Sequence, residues 1–192
     1  MSAQLRARLS LGFILLLTLA QEIRAEERTE TLIPSIAEVA GVKIGFSTQG
    51  EVEARWGKGK VIIGGHPTSG RLWQVKGTEW VLQTDGFEYA KRGLVVDSLV
   101  IRRVQAGDDR LPKARLKAEE LKWMGEMLPG IDRIRVTEIL KKKGLPLMES
   151  EAGIDTHAVG FHSLENQVSF KNWTAKAEFK NGNLKRLALD AH

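Results

Sequence analysis

The chain has 192 residues, no cysteine and a formal net charge of +5. The absence of cysteine excludes a disulfide, a thiol nucleophile, a thiolate metal site and a lipoprotein acyl anchor. The mild excess of Lys and Arg does not by itself indicate nucleic-acid binding, so we expect no nucleic-acid partner.

The first 25 residues have the pattern of a secretion signal. Arg6 and Arg8 precede an apolar run at residues 11–20, and Ala25 supplies a small residue before the cleavage point. The run is shorter than the about 20 residues that span a bilayer. We therefore predict that residues 1–25 are a cleaved signal peptide, with an uncleaved anchor as the alternative. The mature chain would be periplasmic or extracellular and would lack a transmembrane segment.

Residues 26–35 are polar and are predicted to form a flexible N-terminal segment. A helix is then predicted at residues 48–57. Thr48 and Glu51 have the spacing of a capping box, Val52 and Trp56 would share a buried face, and Gly57 would end the helix.

Beyond this helix the apolar residues alternate, which predicts an antiparallel meander. Asp85-Gly86 is a dipeptide typical of tight hairpins, so a turn is predicted there. The predicted strands are residues 61–63, 72–75, 80–84, 87–91 and 94–103.

A polar linker is predicted at residues 107–112, followed by a helix at residues 113–128. Ala114, Leu121 and Leu128 would lie on one face of that helix, together with Ala118 and Met124. Pro129-Gly130 would end it.

A second short helix is predicted at residues 131–143. Strands are predicted after it at residues 157–164, 167–170, 173–180 and 184–190, with a hairpin at Asn181-Gly182. The segments 51–57 and 138–144 align without a gap, and each is followed by a Gly-punctuated antiparallel pattern. We therefore predict an α+β fold of two pseudo-repeated units, residues 36–106 and 113–191. Each unit would pack a short helix or helical hairpin on a curved antiparallel sheet. Two unrelated α+β segments are the alternative.

A short motif carries a family resemblance. The first half has Ile44, Ser47, Thr48, Glu51, Val52 and Gly57, and the second has Ile131, Glu138, Ile139, Gly144 and Pro146. This pattern resembles the unit shared by β-lactamase inhibitor proteins and small outer-membrane assembly lipoproteins. The resemblance implies a helical hairpin packed on a curved antiparallel sheet, in tandem in the inhibitors, and a binding role. The chain departs from both groups in lacking cysteine, and Arg135 stands where the first unit has Thr48.

The spacing of Asp155 and His157 suggests a metal site or an acid–base pair. Asp155 and His157 would lie on the same strand face, where a carboxylate and an imidazole could bind a metal with a third ligand or act as an acid–base pair. Two solvated strand residues are the plainer interpretation. No nucleophile elbow or dinucleotide motif is present. No cofactor is predicted, and a non-catalytic function is favoured.

A binding face is predicted from aromatic and basic residues. Most of the five Trp are expected in the core, but Trp73 and Trp80 could stand on an open sheet face beside Arg71, Lys91, Arg102 and Arg103. The sequence thus favours an exported module that binds a protein partner in the cell envelope, as an inhibitor or an assembly factor. A metal-dependent or other hydrolase using Asp155 and His157, and a binder of polyanions or of the cell-envelope surface, are the alternatives.

Overall fold

The computed structural model describes residues 34–63, 69–89, 92–164 and 168–192. The predicted signal peptide, residues 26–33 of the predicted flexible segment, and Lys91 lie outside the described residues. The predictions made for them stay predictions.

The described residues form two α-helices and thirteen strands. The helices are α1 (Gln49–Trp56) and α2 (Arg133–Lys142). The first six strands are β1 (Glu38–Val39), β2 (Val42–Lys43), β3 (Lys60–Ile63), β4 (Ser69–Val75), β5 (Trp80–Tyr89) and β6 (Gly93–Arg103). The next three are β7 (Lys113–Ala114), β8 (Lys122–Trp123) and β9 (Glu126–Met127). The last four are β10 (Met148–Glu149), β11 (Gly153–Leu164), β12 (Val168–Lys180) and β13 (Asn183–Ala191).

The strands form a large and a small sheet, and the fold is mixed α/β with mostly antiparallel sheet. The large sheet has the order β10-β11-β12-β13-β6-β5-β4-β3, and β7 adds to β4 in the one parallel pairing of the described residues. The small sheet has the order β2-β1-β8-β9. The predicted antiparallel α+β character is therefore confirmed at this level.

The two halves of the chain meet at the centre of the large sheet. There β6 and β13 pair antiparallel, with Leu99 opposite Leu189 and Val100 opposite Ala188. Side chains alternate between the two faces of a strand. Leu99 and Leu189 are buried in the core cluster that also contains Val52 of α1 and Val136 of α2, so both helices cover the same face of the sheet.

Local signals set the ends of both helices. Thr48 and Glu51 form the predicted capping box, and Gly57 ends α1 with a positive φ of 85°. In α2 the N-cap is Asp132, whose carboxylate accepts a hydrogen bond from the Arg135 backbone N at 2.8 Å. The expected correspondence of Arg135 with the capping Thr48 is therefore wrong, because α2 begins earlier and Arg135 lies within its first turn.

One of the two predicted hairpin turns is confirmed. Asn181 and Gly182 both have positive φ and connect β12 to β13. The turn predicted at Asp85-Gly86 is wrong, since both residues lie inside the continuous strand β5 at a bulge opposite β6. A Cβ at Gly86 would lie 2.3 Å from the Val95 carbonyl oxygen, so this glycine allows a close backbone approach rather than a turn.

The helix predicted at residues 113–128 is wrong. This segment contains β7, a 3₁₀ turn at Ala118–Glu120, and the hairpin β8–β9, whose two turn residues Met124 and Gly125 have positive φ. Trp123 pairs with Val39, and its indole Nε1 donates to the Ile36 carbonyl at 3.0 Å. These long-range contacts outweigh the helical spacing of the apolar residues, of which Ala114, Leu121 and Leu128 are buried without an α-helix.

The five Trp side chains are all buried. No helix in the described part of the chain has the length and apolar character needed to cross a membrane.

Candidate functional site: the open face of the sheet

The two Trp residues predicted at a binding face belong to the core. Trp73 is 0% exposed and Trp80 is 2% exposed. The Trp73 indole donates to the Gly57 carbonyl at 2.8 Å, and its ring meets Trp56 edge-on at 5.4 Å between centroids. The interpretation of these rings as partner contacts is therefore wrong, because both lie on the helix-covered face.

The described arginines of the predicted face are also engaged within the chain. Arg71 forms an ion pair with Glu53 of α1 at 2.8 Å. The Arg103 guanidinium lies over the Trp80 ring, 4.5 Å from its centroid, and pairs with Glu79 at 2.9 Å. Arg71 therefore links the sheet to α1, and Arg103 is held between Trp80 and Glu79.

Arg102 holds a turn against the opposite face of the sheet. Its guanidinium contacts both oxygens of the buried Asp108 carboxylate, at 2.5 and 3.1 Å. The Gln105 backbone N donates to the same carboxylate at 2.7 Å. The Arg102 hydrogen bonds hold the pKa of Asp108 below its usual value. The predicted linker at residues 107–112 is thus fixed to the sheet through its 3₁₀ turn.

Asp155 and His157 lie on β11 opposite Lys176 and Thr174, so they share one face as predicted. No group of three His, Asp or Glu residues able to hold a metal is found in the described part of the chain. His162 is buried, with its ring 4.7 Å from that of Phe46, and adds no ligand to the exposed His157.

We call the sheet surface opposite the two helices the open face. At its centre are the side chains of Gln83, Asp85, Ser98, Val100, Ala188, Asp190, Thr174 and Lys176. Most of them are half-buried or exposed, whereas their neighbours Leu82, Ile101 and Leu187 on the other face are fully buried. Among the described elements, the 3₁₀ turn Asp108–Arg110 covers one corner of this face through Arg102.

A cluster of carboxylates occupies the centre of the open face. Asp97 is the extra residue of the bulge between β5 and β6, where the register shifts after Asp85. Burial, followed by the charges of Asp85 and Asp190, raises the pKa of Asp97 to about 6, although its own backbone N–H and His192 act in the opposite direction. This part of the face therefore gains negative charge as the pH rises from 5 to 7.

Aromatic rings lie at the end of β5, next to this cluster. Phe87 is 40% exposed, and its ring centroid is 5.4 Å from that of Tyr89. Tyr89 meets the buried Phe170 edge-on at 6.3 Å. Burial and the Asp97 charge raise the pKa of Tyr89, so its hydroxyl stays protonated at neutral pH.

The sequence prediction missed these residues. Asp85 was placed in a turn, and the 87–91 strand was separated from the 80–84 strand. Because side chains alternate along a strand, a continuous β5 puts Asp85, Phe87 and Tyr89 on one side. Predicting residues 80–89 as one strand would therefore have found them.

Comparisons of the chain with models of known protein families, with curated proteins and with solved structures find no match. The function is therefore proposed from the residues of this chain.

Proposed function

We propose that the chain is an exported, non-catalytic module that binds a protein partner in the cell envelope through its open face. The proposal is carried by one continuous sheet with a face that no described helix covers, where half-exposed polar side chains lie at the centre and two aromatic rings at the end of β5. Seven strand spacings of about 4.8 Å make such a sheet about 34 Å wide. That width suits an interface burying about 800 Å² on each partner.

The composition of the open face supports a protein partner over a small substrate. Aromatic residues are enriched at interfaces, and Phe87 and Tyr89 offer two adjacent rings, of which Tyr89 lies close to the Asp97 carboxylate. Export is proposed on the basis of the charged and apolar N-terminal pattern.

We infer that the two halves are copies of one unit. Each runs from a hairpin through a helix into a four-stranded antiparallel meander. The N-cap residues of the helices make equivalent isolated bridges, Thr48 with Val95 early in β6 and Asp132 with Asn183 at the start of β13. Hairpins β1–β2 and β8–β9 also pair with each other, as β6 does with β13. This arrangement supports kinship with the tandem inhibitor-like proteins that the sequence motif resembles.

Site-specific photocrosslinking tests the proposed function. A photoreactive residue placed at Phe87 or at Val159, which is 76% exposed on β11, should give a discrete adduct in envelope extract from the native organism. Excess unmodified chain should compete the adduct away. Ile134 is the control, because it is 71% exposed on α2, the helix side of the molecule. Adducts formed equally well from Ile134, or none from the open face, would contradict the proposal.

A further inference from the structure

A groove of about 620 Å³ lies away from the open face. It is bordered by the turns of hairpins β1–β2 and β8–β9, by the last turn of α1 and by Lys143, the C-cap of α2. Its volume lies within the range of small-molecule sites, about 300–1,000 Å³. Parts of both halves of the chain thus contribute to one concave surface.

Four cationic side chains line this groove: Arg55, Arg115, Lys122 and Lys143. None of them forms an ion pair with another described residue. By contrast, Arg71, Arg102 and Arg186 each have a carboxylate partner. Two carboxylates, Glu38 and Glu120, also line the groove and leave it with a net positive charge of two.

The preference of cations for helix C-termini explains only two of the four cations in the groove. Arg55 and Lys143 lie at helix C-termini, where cations are generally favourable. Arg115 and Lys122 belong to neither helix. The Arg115 backbone N donates to the Trp56 carbonyl at 2.8 Å, which brings this residue to the end of α1 beside Arg55.

A glycine makes room for one guanidinium. Gly41 has a φ of 75°, and a Cβ on it would lie 2.2 Å from the Arg55 Nη1 and 2.7 Å from its Cζ. Arg55 therefore rests against the β1–β2 turn in a place that any larger residue at position 41 would fill. Ala40, Met124 and the buried Leu116 add an apolar lining.

We propose that this groove binds a compact phosphate-bearing ligand, of the phosphate-monoester or pyrophosphate class. Guanidinium groups match phosphate oxygens with paired hydrogen bonds. The net charge of two complements a dianion, and the apolar lining suits the organic part of a phosphate ester. This site is separate from the open face and does not depend on the function proposed for that face.

Calorimetric titration of the purified chain with pyrophosphate at low salt tests the site. We expect saturable binding that weakens by at least about tenfold in the variant with both Arg55→Gln and Arg115→Gln, since two charge-assisted contacts are lost. Glu38→Gln should tighten binding by removing a negative charge. Gly41→Ala should weaken it by displacing the Arg55 guanidinium. Circular dichroism confirms that each variant is folded.

Arg110→Gln is the matched control, because Arg110 is exposed and lies outside the groove. Its binding should equal that of the wild type. An equal loss of affinity in this variant would show that the binding is non-specific charge attraction and would overturn the proposal. The absence of saturation at about 10 mM pyrophosphate would also overturn it. Citrate binding as tightly as pyrophosphate would overturn the phosphate assignment.

Discussion

Trp73→Ala is expected to lower the free energy of unfolding by about 3–5 kcal/mol, because it removes a fully buried ring from the centre of the core. The ring packs against Trp56, and a Cβ at Gly59 would lie only 2.5 Å from it, so the backbone is fitted closely around it. Denaturant unfolding followed by circular dichroism measures the change.

Two further variants test the source of this loss of stability: Trp73→Phe removes the indole N–H, and Phe87→Ala is a comparison at an exposed ring. Trp73→Phe keeps most of the ring but leaves the Gly57 carbonyl without its indole donor, so a loss of about 1–3 kcal/mol is expected. Phe87→Ala, on the open face, should cost about 1 kcal/mol or less because that ring is 40% exposed. If Trp73→Ala unfolded at the same denaturant concentration as the wild type, the burial of Trp73 described above would be wrong.

Arg102→Leu is expected to lower the free energy of unfolding by about 2–4 kcal/mol. The substitution leaves the Asp108 carboxylate buried without its cationic partner, which is costlier than losing the ion pair itself. The same substitution at the adjacent Arg103 should cost only about 1 kcal/mol, since its partner Glu79 is well exposed. Urea unfolding of the two variants at pH 7 gives this comparison.

The pH dependence of the free energy of unfolding tests whether the unpaired Asp108 carboxylate causes the loss in Arg102→Leu. In the wild type the pKa of Asp108 is lowered by Arg102, so the stability from this pair is present above pH 4 and is lost as the pH falls through the lowered pKa. Protonation of Asp108 at low pH also removes the unpaired charge from Arg102→Leu, and the two proteins should approach each other in stability. Adding Asp108→Asn to Arg102→Leu should recover part of the loss at pH 7. A gap that persisted unchanged at pH 3 would exclude the unpaired carboxylate as its cause.

The features predicted correctly from sequence are those fixed by neighbouring residues. The Thr48–Glu51 capping box, the Gly57 stop and the Asn181-Gly182 turn each depend on residues within one turn of chain. In the predicted strand 173–180, Trp173, Ala175 and Ala177 all face the core, because a strand alternates its side chains whatever its partner.

The errors came from contacts between distant residues. Met124 and Gly125 reverse the chain inside the predicted 113–128 helix, and Trp123 then pairs with Val39, far earlier in the sequence. Gly86 was taken for a turn residue because nothing nearby indicates that the Val95 carbonyl approaches it.

The predicted exposure of Trp73 and Trp80 failed for a related reason. Trp73, Arg71 and Arg103 have the residue types of an interface, but whether a strand residue faces helices or solvent depends on the packing of the whole sheet. The helices cover that face, so these residues became core and anchoring contacts. The opposite side, with Asp85, Asp97 and Phe87, is not covered by either described helix.

The open face exists only if β6 pairs with β13, because this pairing joins the two halves into one sheet. The native chain has no cysteine, so a pair can be introduced without competing thiols. Cysteines introduced at Val100 and Ala188 would lie directly opposite each other, within the range of a disulfide. Cysteines at Val100 and Lys176 share the open face but lie two strands apart, about 10 Å.

Mild oxidation of the two double-cysteine variants, followed by non-reducing electrophoresis and mass spectrometry, measures the pairing. We predict an internal disulfide in Val100→Cys/Ala188→Cys and none in Val100→Cys/Lys176→Cys. A disulfide that formed equally well in both variants, or only in the second, would contradict the shared sheet and the open face with it.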